Sequence, residues 1–146
     1  MRAETAPDLK ISGLAIWIDG RQFPESDDYW DANWLILRVR MEATGATVKC
    51  VGAILMTTNF EGFRDQLRTL YNDLEGTAKL AGLEPDLKLT LSGKGLGRID
   101  AEVEITPDHL SQFHRFDFEL DQSYLPDILS ALDRLLEKYP VLHSEA

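Results

Sequence analysis

Apolar and polar positions alternate in steps of two along several short stretches of this chain, and recur in steps of three and four along two longer ones. These are the periods of a half-buried strand and of an amphipathic helix. Residues 9–18, LKISGLAIWI, are β-branched and aromatic and run into Asp19-Gly20-Arg21, which predicts a strand and a turn. Residues 23–33, FPESDDYWDAN, gather turn formers around two aromatics and predict a loop. A second strand follows, with Leu35, Leu37, Val39 and Met41 on one side and Ile36, Arg38 and Arg40 on the other. Ala43-Thr44-Gly45 turns the chain into a third strand, with Val48, Cys50, Ile54 and Met56 on one side. Short turns between strands predict an antiparallel meander.

Phe60, Phe63, Leu67, Leu70, Tyr71 and Leu74 then draw one apolar helix face. Thr58 with Glu61 reads as its capping box, and Gly76 as its left-handed C-terminal residue. Four strand candidates come next: residues 77–83, 87–92, 98–105 and 113–120. The chain closes on a second helical stripe of Leu125, Ile128, Leu129, Leu132, Leu135, Leu136 and Tyr139. Asp121 or Ser123 can cap it, Pro126 fits only in its first turn and so keeps it from beginning much before Gln122, and Pro140 ends it. The pattern predicts an α+β fold: an antiparallel sheet of about six to seven strands, in the order β-β-β-α-β-β-β-β-α, with two amphipathic helices on one face.

At 146 residues and 44% hydrophobic content the chain suits one globular domain, expected over residues 9–142 behind a frayed N-terminal end at 1–8. No signal-peptide core stands at the N-terminus, and no apolar run approaches a membrane span, so a cytoplasmic location is expected. Cys50 is the single cysteine and excludes an internal disulfide. Acids outnumber bases by 25 to 15, giving a formal charge of −10. That charge repels nucleic acid and anionic lipid and leaves two readings, simple solubility or attraction to a basic protein.

Several chemical signals fail on spacing. The glycines of GKGLG at 93–97 lead into a strand rather than a helix N-terminus, so they make a hairpin turn and not a phosphate cradle. His109, His114 and His143 have no metal-ligand spacing, and no GxSxG motif is present. Cys50 lies on the apolar side of its strand, the place of an inert thiol. No cofactor or metal is expected.

One strand does stand out. In residues 98–105, RIDAEVEI, the apolar side is Ile99, Ala101, Val103 and Ile105, and the opposite side carries Asp100, Glu102 and Glu104. Successive carboxylates on one strand face stand about 6.6 to 7 Å apart. At that distance they repel by only about 0.6 kcal/mol in water, which is tolerable on a wet face and ruinous if buried. The stripe must therefore point to solvent. If the strand of residues 116–120 pairs beside it, Asp117 and Glu119 join the same face, with Arg115 as relief. The loop over 24–33 adds Glu25, Asp27, Asp28 and Asp31 with no base. A straight, regular stripe spreads its oxygens too far for calcium and lacks the unequal environments of an acid/base pair. It is a solvated face or a docking surface for a basic protein. Charge would speed encounter, and affinity would need an anchor, for which Tyr29 and Trp30 are the candidates.

Residues 23–37, with Asn33-Trp34-Leu35 entering a strand, residues 83–91, LEPDLKLTL, and residues 116–140 resemble the WapI-like family of small bacterial immunity proteins. The resemblance spans residues 9–140. It implies a non-enzymatic cytoplasmic inhibitor that binds a cognate toxin domain, a nuclease in the best-known case, and it carries over no catalytic residue. The expected partner-binding set is Asp100, Glu102, Glu104, Asp117, Glu119, Asp27, Asp28, Tyr29 and Trp30. The competing expectation is a small-ligand protein or enzyme with a pocket between sheet and helices, near Trp34, Asp121 and Tyr124.

Overall fold

The structure, a computed structural model, describes residues 5–143. Apolar residues fall at 9 and 11, then at 14, 16 and 18, so the inward phase slips by one residue across Ser12 and Gly13. The chain turns there. Strand β1 (Leu9–Ile11) folds back on β2 (Leu14–Arg21), with Ile11 opposite Leu14 and Ser12 at a φ of 52°. The single strand expected over residues 9–18 is thus a two-strand hairpin. Gly13 is required at this turn because a Cβ there would lie 2.0 Å from the Glu42 carbonyl oxygen. Thr5 and Asp8, within the end expected to be frayed, bond to β2: Asp8 accepts the Ile18 N–H at 2.7 Å, and the Trp17 indole donates to the Thr5 carbonyl at 2.8 Å.

After a loop and a short helix α1 (Tyr29–Ala32), β3 (Trp34–Ala43) pairs with β2, and β4 (Ala46–Met56) pairs with β3. The register shifts between Leu35 and Ile36, which oppose Leu55 and Ala53, so Ile54 and Leu55 both turn inward. Helix α2 (Thr57–Asp73) leaves β4 directly and buries Phe60, Phe63, Leu67 and Leu70 as the spacing predicts. Its ends differ from expectation. Asn59 Oδ1 accepts the Met56 N–H at 2.8 Å, so the helix starts ahead of the Thr58–Glu61 box. Leu74, not Gly76, is the left-handed residue that ends the helix, with its N–H on the Leu70 carbonyl at 2.7 Å; Gly76, at a φ of 102°, already lies in the following strand.

Strand β5 (Glu75–Ala81) returns along α2 and begins a second antiparallel sheet with β6 (Leu87–Lys94), β7 (Arg98–Ile105) and β8 (Arg115–Asp121). The expected single sheet of six to seven strands is corrected to two four-stranded sheets, β1-β2-β3-β4 and β5-β6-β7-β8. A helix of this length carries the chain about 25 Å from the end of β4, and β5 packs against that helix instead of the β4 edge. Each sheet then has one apolar face to cover. The two faces and the helices share one buried cluster, including Ile16, Leu37, Phe60, Leu67, Leu89, Val103 and Leu132. After a 3₁₀ turn at Gln122–Tyr124, α3 (Leu125–Lys138) packs on α2 and β1, with Pro126 in its first turn.

Candidate functional site

The stripe of β7 faces outward. Ile99, Ala101, Val103 and Ile105 are buried, while Asp100, Glu102 and Glu104 are half-exposed. β8 pairs beside it in a register that sets Asp100 opposite Glu119, Glu102 opposite Asp117, and Glu104 opposite Arg115. Two of the three pairs are acid against acid, an arrangement that costs a fraction of a kcal/mol up to about 1 kcal/mol each on a wet sheet.

Neighbouring strands relieve much of this. Arg115 reaches Glu102 at 3.2 Å and Asp117 at 3.3 Å, so one guanidinium sits between two carboxylates that face each other. Lys94 lies 3.9 Å from Asp100, and Arg98 lies 3.9 Å from Glu119. On the other flank, β6 places Lys88 opposite Glu104, Thr90 opposite Glu102 and Ser92 opposite Asp100. Of these side chains, all but Lys88, Arg98 and Glu104 line an open trough of about 450 Å³. The β6 lysines cannot be foreseen from the sequences of β7 and β8 alone, because strand order decides which bases meet which acids.

The second part of the expected surface lies on the first sheet. Asp28 caps α1 by accepting the Asp31 N–H at 3.2 Å. Tyr29 is half-buried and Trp30 is 51% exposed, their rings edge to face at 5.1 Å. Asp27 and Asp28 are exposed beside them. The stripe and this loop belong to different sheets. What holds the loop is a residue that charge patterning passes over. Asn33 is fully buried; its amide donates to the Tyr29 carbonyl at 2.8 Å and to the Leu142 carbonyl at 2.9 Å, and its oxygen accepts the Leu142 N–H at 2.8 Å. Arg21 donates to the Ala32 carbonyl at 3.0 Å and to the Pro140 carbonyl. Burial is the main influence on Arg21 and lowers its pKa, against an opposing effect of Tyr139.

The immunity protein WapI-like family matches residues 8–140. The chain belongs to that family. Among solved structures, a CdiA-CT/CdiI toxin and immunity complex from Enterobacter cloacae aligns with 69% of this chain and 89% of the matched chain, at 7% identity and a TM-score of 0.42. A likeness of that size carries no argument about function. No curated protein matches the chain significantly.

The family match contains both halves of the expected surface and the Asn33 and Arg21 side chains that fix the loop. It also contains Cys50, which is buried with Sγ 3.8 Å from the Asp86 carbonyl; desolvation, then Asp86, raises the thiol to about 11. Among the described residues, no three His, Cys, Asp or Glu side chains are placed to hold a metal ion. No helix among them is long and apolar enough to cross a membrane. Asp121 accepts the Ser123 N–H at 3.0 Å, and its hydrogen bonds to Ser123 hold its carboxyl below the usual range. The cavity beside Asp121 is lined by Leu96, Arg98, Glu119 and Leu120, not by Trp34 or Tyr124. The first sheet carries a basic feature of its own: Arg38 and Arg40 lie 5.3 and 5.0 Å over Trp17, with Asp19 and Glu42 as partners.

Proposed function

We propose that this family member is a non-enzymatic cytoplasmic immunity protein that neutralises a toxin domain by covering a basic surface. The observation that carries the reading is the register of β7 and β8, which gathers Asp100, Glu102, Asp117 and Glu119 on one outer face. A toxin that cleaves nucleic acid must present cations to its substrate, and a carboxylate face is complementary to them. The α1 loop, with Asp27, Asp28, Tyr29 and Trp30, is the second contact in this reading.

The test is co-expression with the C-terminal domain of the large secreted protein encoded beside this gene, scored by host growth. Growth restored only in the presence of this protein supports immunity. A second strain carrying Glu102→Lys and Glu104→Lys should protect less, while the purified variant keeps its circular dichroism spectrum. Toxicity that the wild-type protein leaves unrelieved ends the immunity reading. Full protection by the reversed variant removes the stripe from the mechanism.

A further inference from the structure

One end of the second sheet combines exposed apolar side chains with acids. Leu83, between β5 and β6, is 78% exposed; Leu110 and Phe113, between β7 and β8, are 87% and 70% exposed. The two loops adjoin, since the Thr106 N–H donates to the Asp86 carbonyl at 2.8 Å and Leu87 pairs with Ile105. A lone exposed leucine is ordinary, but three large apolar side chains on neighbouring loops mark a contact surface.

The β7–β8 loop holds its shape without a partner. Asp108 accepts the Leu110 N–H at 3.1 Å and the Ser111 hydroxyl at 2.7 Å through its carboxylate, and the Gln112 N–H at 2.8 Å through its carbonyl. Gln112 Oε1 lies 3.0 Å from His114 Nε2. Leu110 and Phe113 are therefore presented before binding, which lowers the ordering cost of association.

Charge selects the occupant. These loops and the strand ends beside them carry Glu84, Asp86, Glu104, Asp108 and Asp117 against Lys88 and Arg115. A second copy would bring acids against acids, with a formal −10 on each chain. Nucleic acid and anionic membrane meet the same repulsion. A basic protein surface meets attraction. We infer that Leu110 and Phe113, with Leu83 beside them, are the apolar anchors through which the acidic β7–β8 edge engages a basic protein partner. This rests on the immunity reading and moves the energetic centre of the contact from Trp30 to the β7–β8 loop.

Calorimetric titration of the full-length protein with the co-expressed toxin domain tests this, comparing wild type, Leu110→Ser with Phe113→Ser, and Trp30→Ser. Anchor residues at an interface centre dominate affinity, so the double variant should bind at least about tenfold more weakly. Both side chains are exposed, so its thermal midpoint should stay within about 2 °C of wild type. Wild type that binds while the double variant binds within twofold overturns this inference and leaves the immunity reading standing. Wild type that neither binds nor protects removes both. A sedimenting dimer of wild type that the double variant dissociates makes a second copy the occupant, and also overturns the inference.

Discussion

Asn33→Ala tests the clamp that joins the α1 loop to the C-terminal segment. The substitution removes three hydrogen bonds from a fully buried side chain and leaves the Tyr29 carbonyl, the Leu142 carbonyl and the Leu142 N–H without it. A net bond contributes about 1 kcal/mol, so the upper figure is about 3 kcal/mol. Leu142 is half-buried, and water can replace part of what is lost there. The expected cost is about 2 to 3 kcal/mol. In a domain of this length that lowers the thermal midpoint by about 5–10 °C. Thermal and urea unfolding followed by circular dichroism give the stability, and hydrogen exchange at the Leu142 amide gives the site. A midpoint within about 2 °C of wild type, or an unchanged Leu142 exchange rate, would refute the clamp. Asn33→Asp adds a check of sign. Its second oxygen would face two carbonyl oxygens, which raises the folded-state pKa above the unfolded value. The neutral form is then the compatible one, so this variant should gain stability relative to wild type as pH falls from 7 towards 4, and lose it on return.

Gly13→Ala should cost about 1 to 3 kcal/mol in urea unfolding, because its Cβ would overlap the Glu42 carbonyl oxygen and push apart the Glu42 N–H to Gly13 carbonyl bond of 3.0 Å. Cys50 should resist a thiol reagent at pH 8 when folded and react at once in urea. Its thiol is raised to about 11, so the stability it confers is present below the unfolded thiol pKa and is lost as pH rises towards 11. Wild type should therefore lose more stability than Cys50→Ala over that window, and equal losses would exclude the effect. Glu119→Lys sets a cation opposite Asp100 in place of an acid. It should stabilise by about 0.2 to 1 kcal/mol at low salt, fading in 1 M sodium chloride.

The parts legible in the sequence were those governed by local periodicity. The inward phase of β7 follows from RIDAEVEI alone, because no other orientation keeps three carboxylates wet. The buried faces of α2 and α3 follow from their apolar stripes. The hairpin at Ser12-Gly13 was also legible, as a one-residue slip of phase, but the β-branched composition of residues 9–18 masks it. The division into two sheets was not. It depends on where α2 carries the chain before β5 begins, and no spacing within the strands encodes that. Asn33 illustrates a further limit. An asparagine between an acidic loop and a strand reads as a turn residue; its burial arises from Leu142, more than a hundred positions away. In sequence Leu110 falls in a loop and Phe113 opens the strand expected over 113–120; only the structure, which starts β8 at Arg115, separates this exposed pair from Phe116 and Phe118, which pack against the core.

The second sheet also separates its charges by strand. Lys79, Lys88 and Lys94 stand on the outer rows of β5 and β6, in register with Thr90, Glu104 and Glu75 on adjacent strands, whereas Asp100, Glu102, Asp117 and Glu119 stand on β7 and β8. The outer face is therefore positive on one side and negative on the other, not uniformly acidic. Such a face turns an approaching basic surface towards β7 and β8, because a placement over β5 and β6 sets it over lysines. At solvent-exposed pairs separated by 3 to 4 Å the energy gained per contact is small. In the proposed complex the carboxylates thus set orientation and encounter rate. Residence must come from surface that loses water on contact, and on this side of the molecule the structure offers it at the tip of the β7–β8 loop.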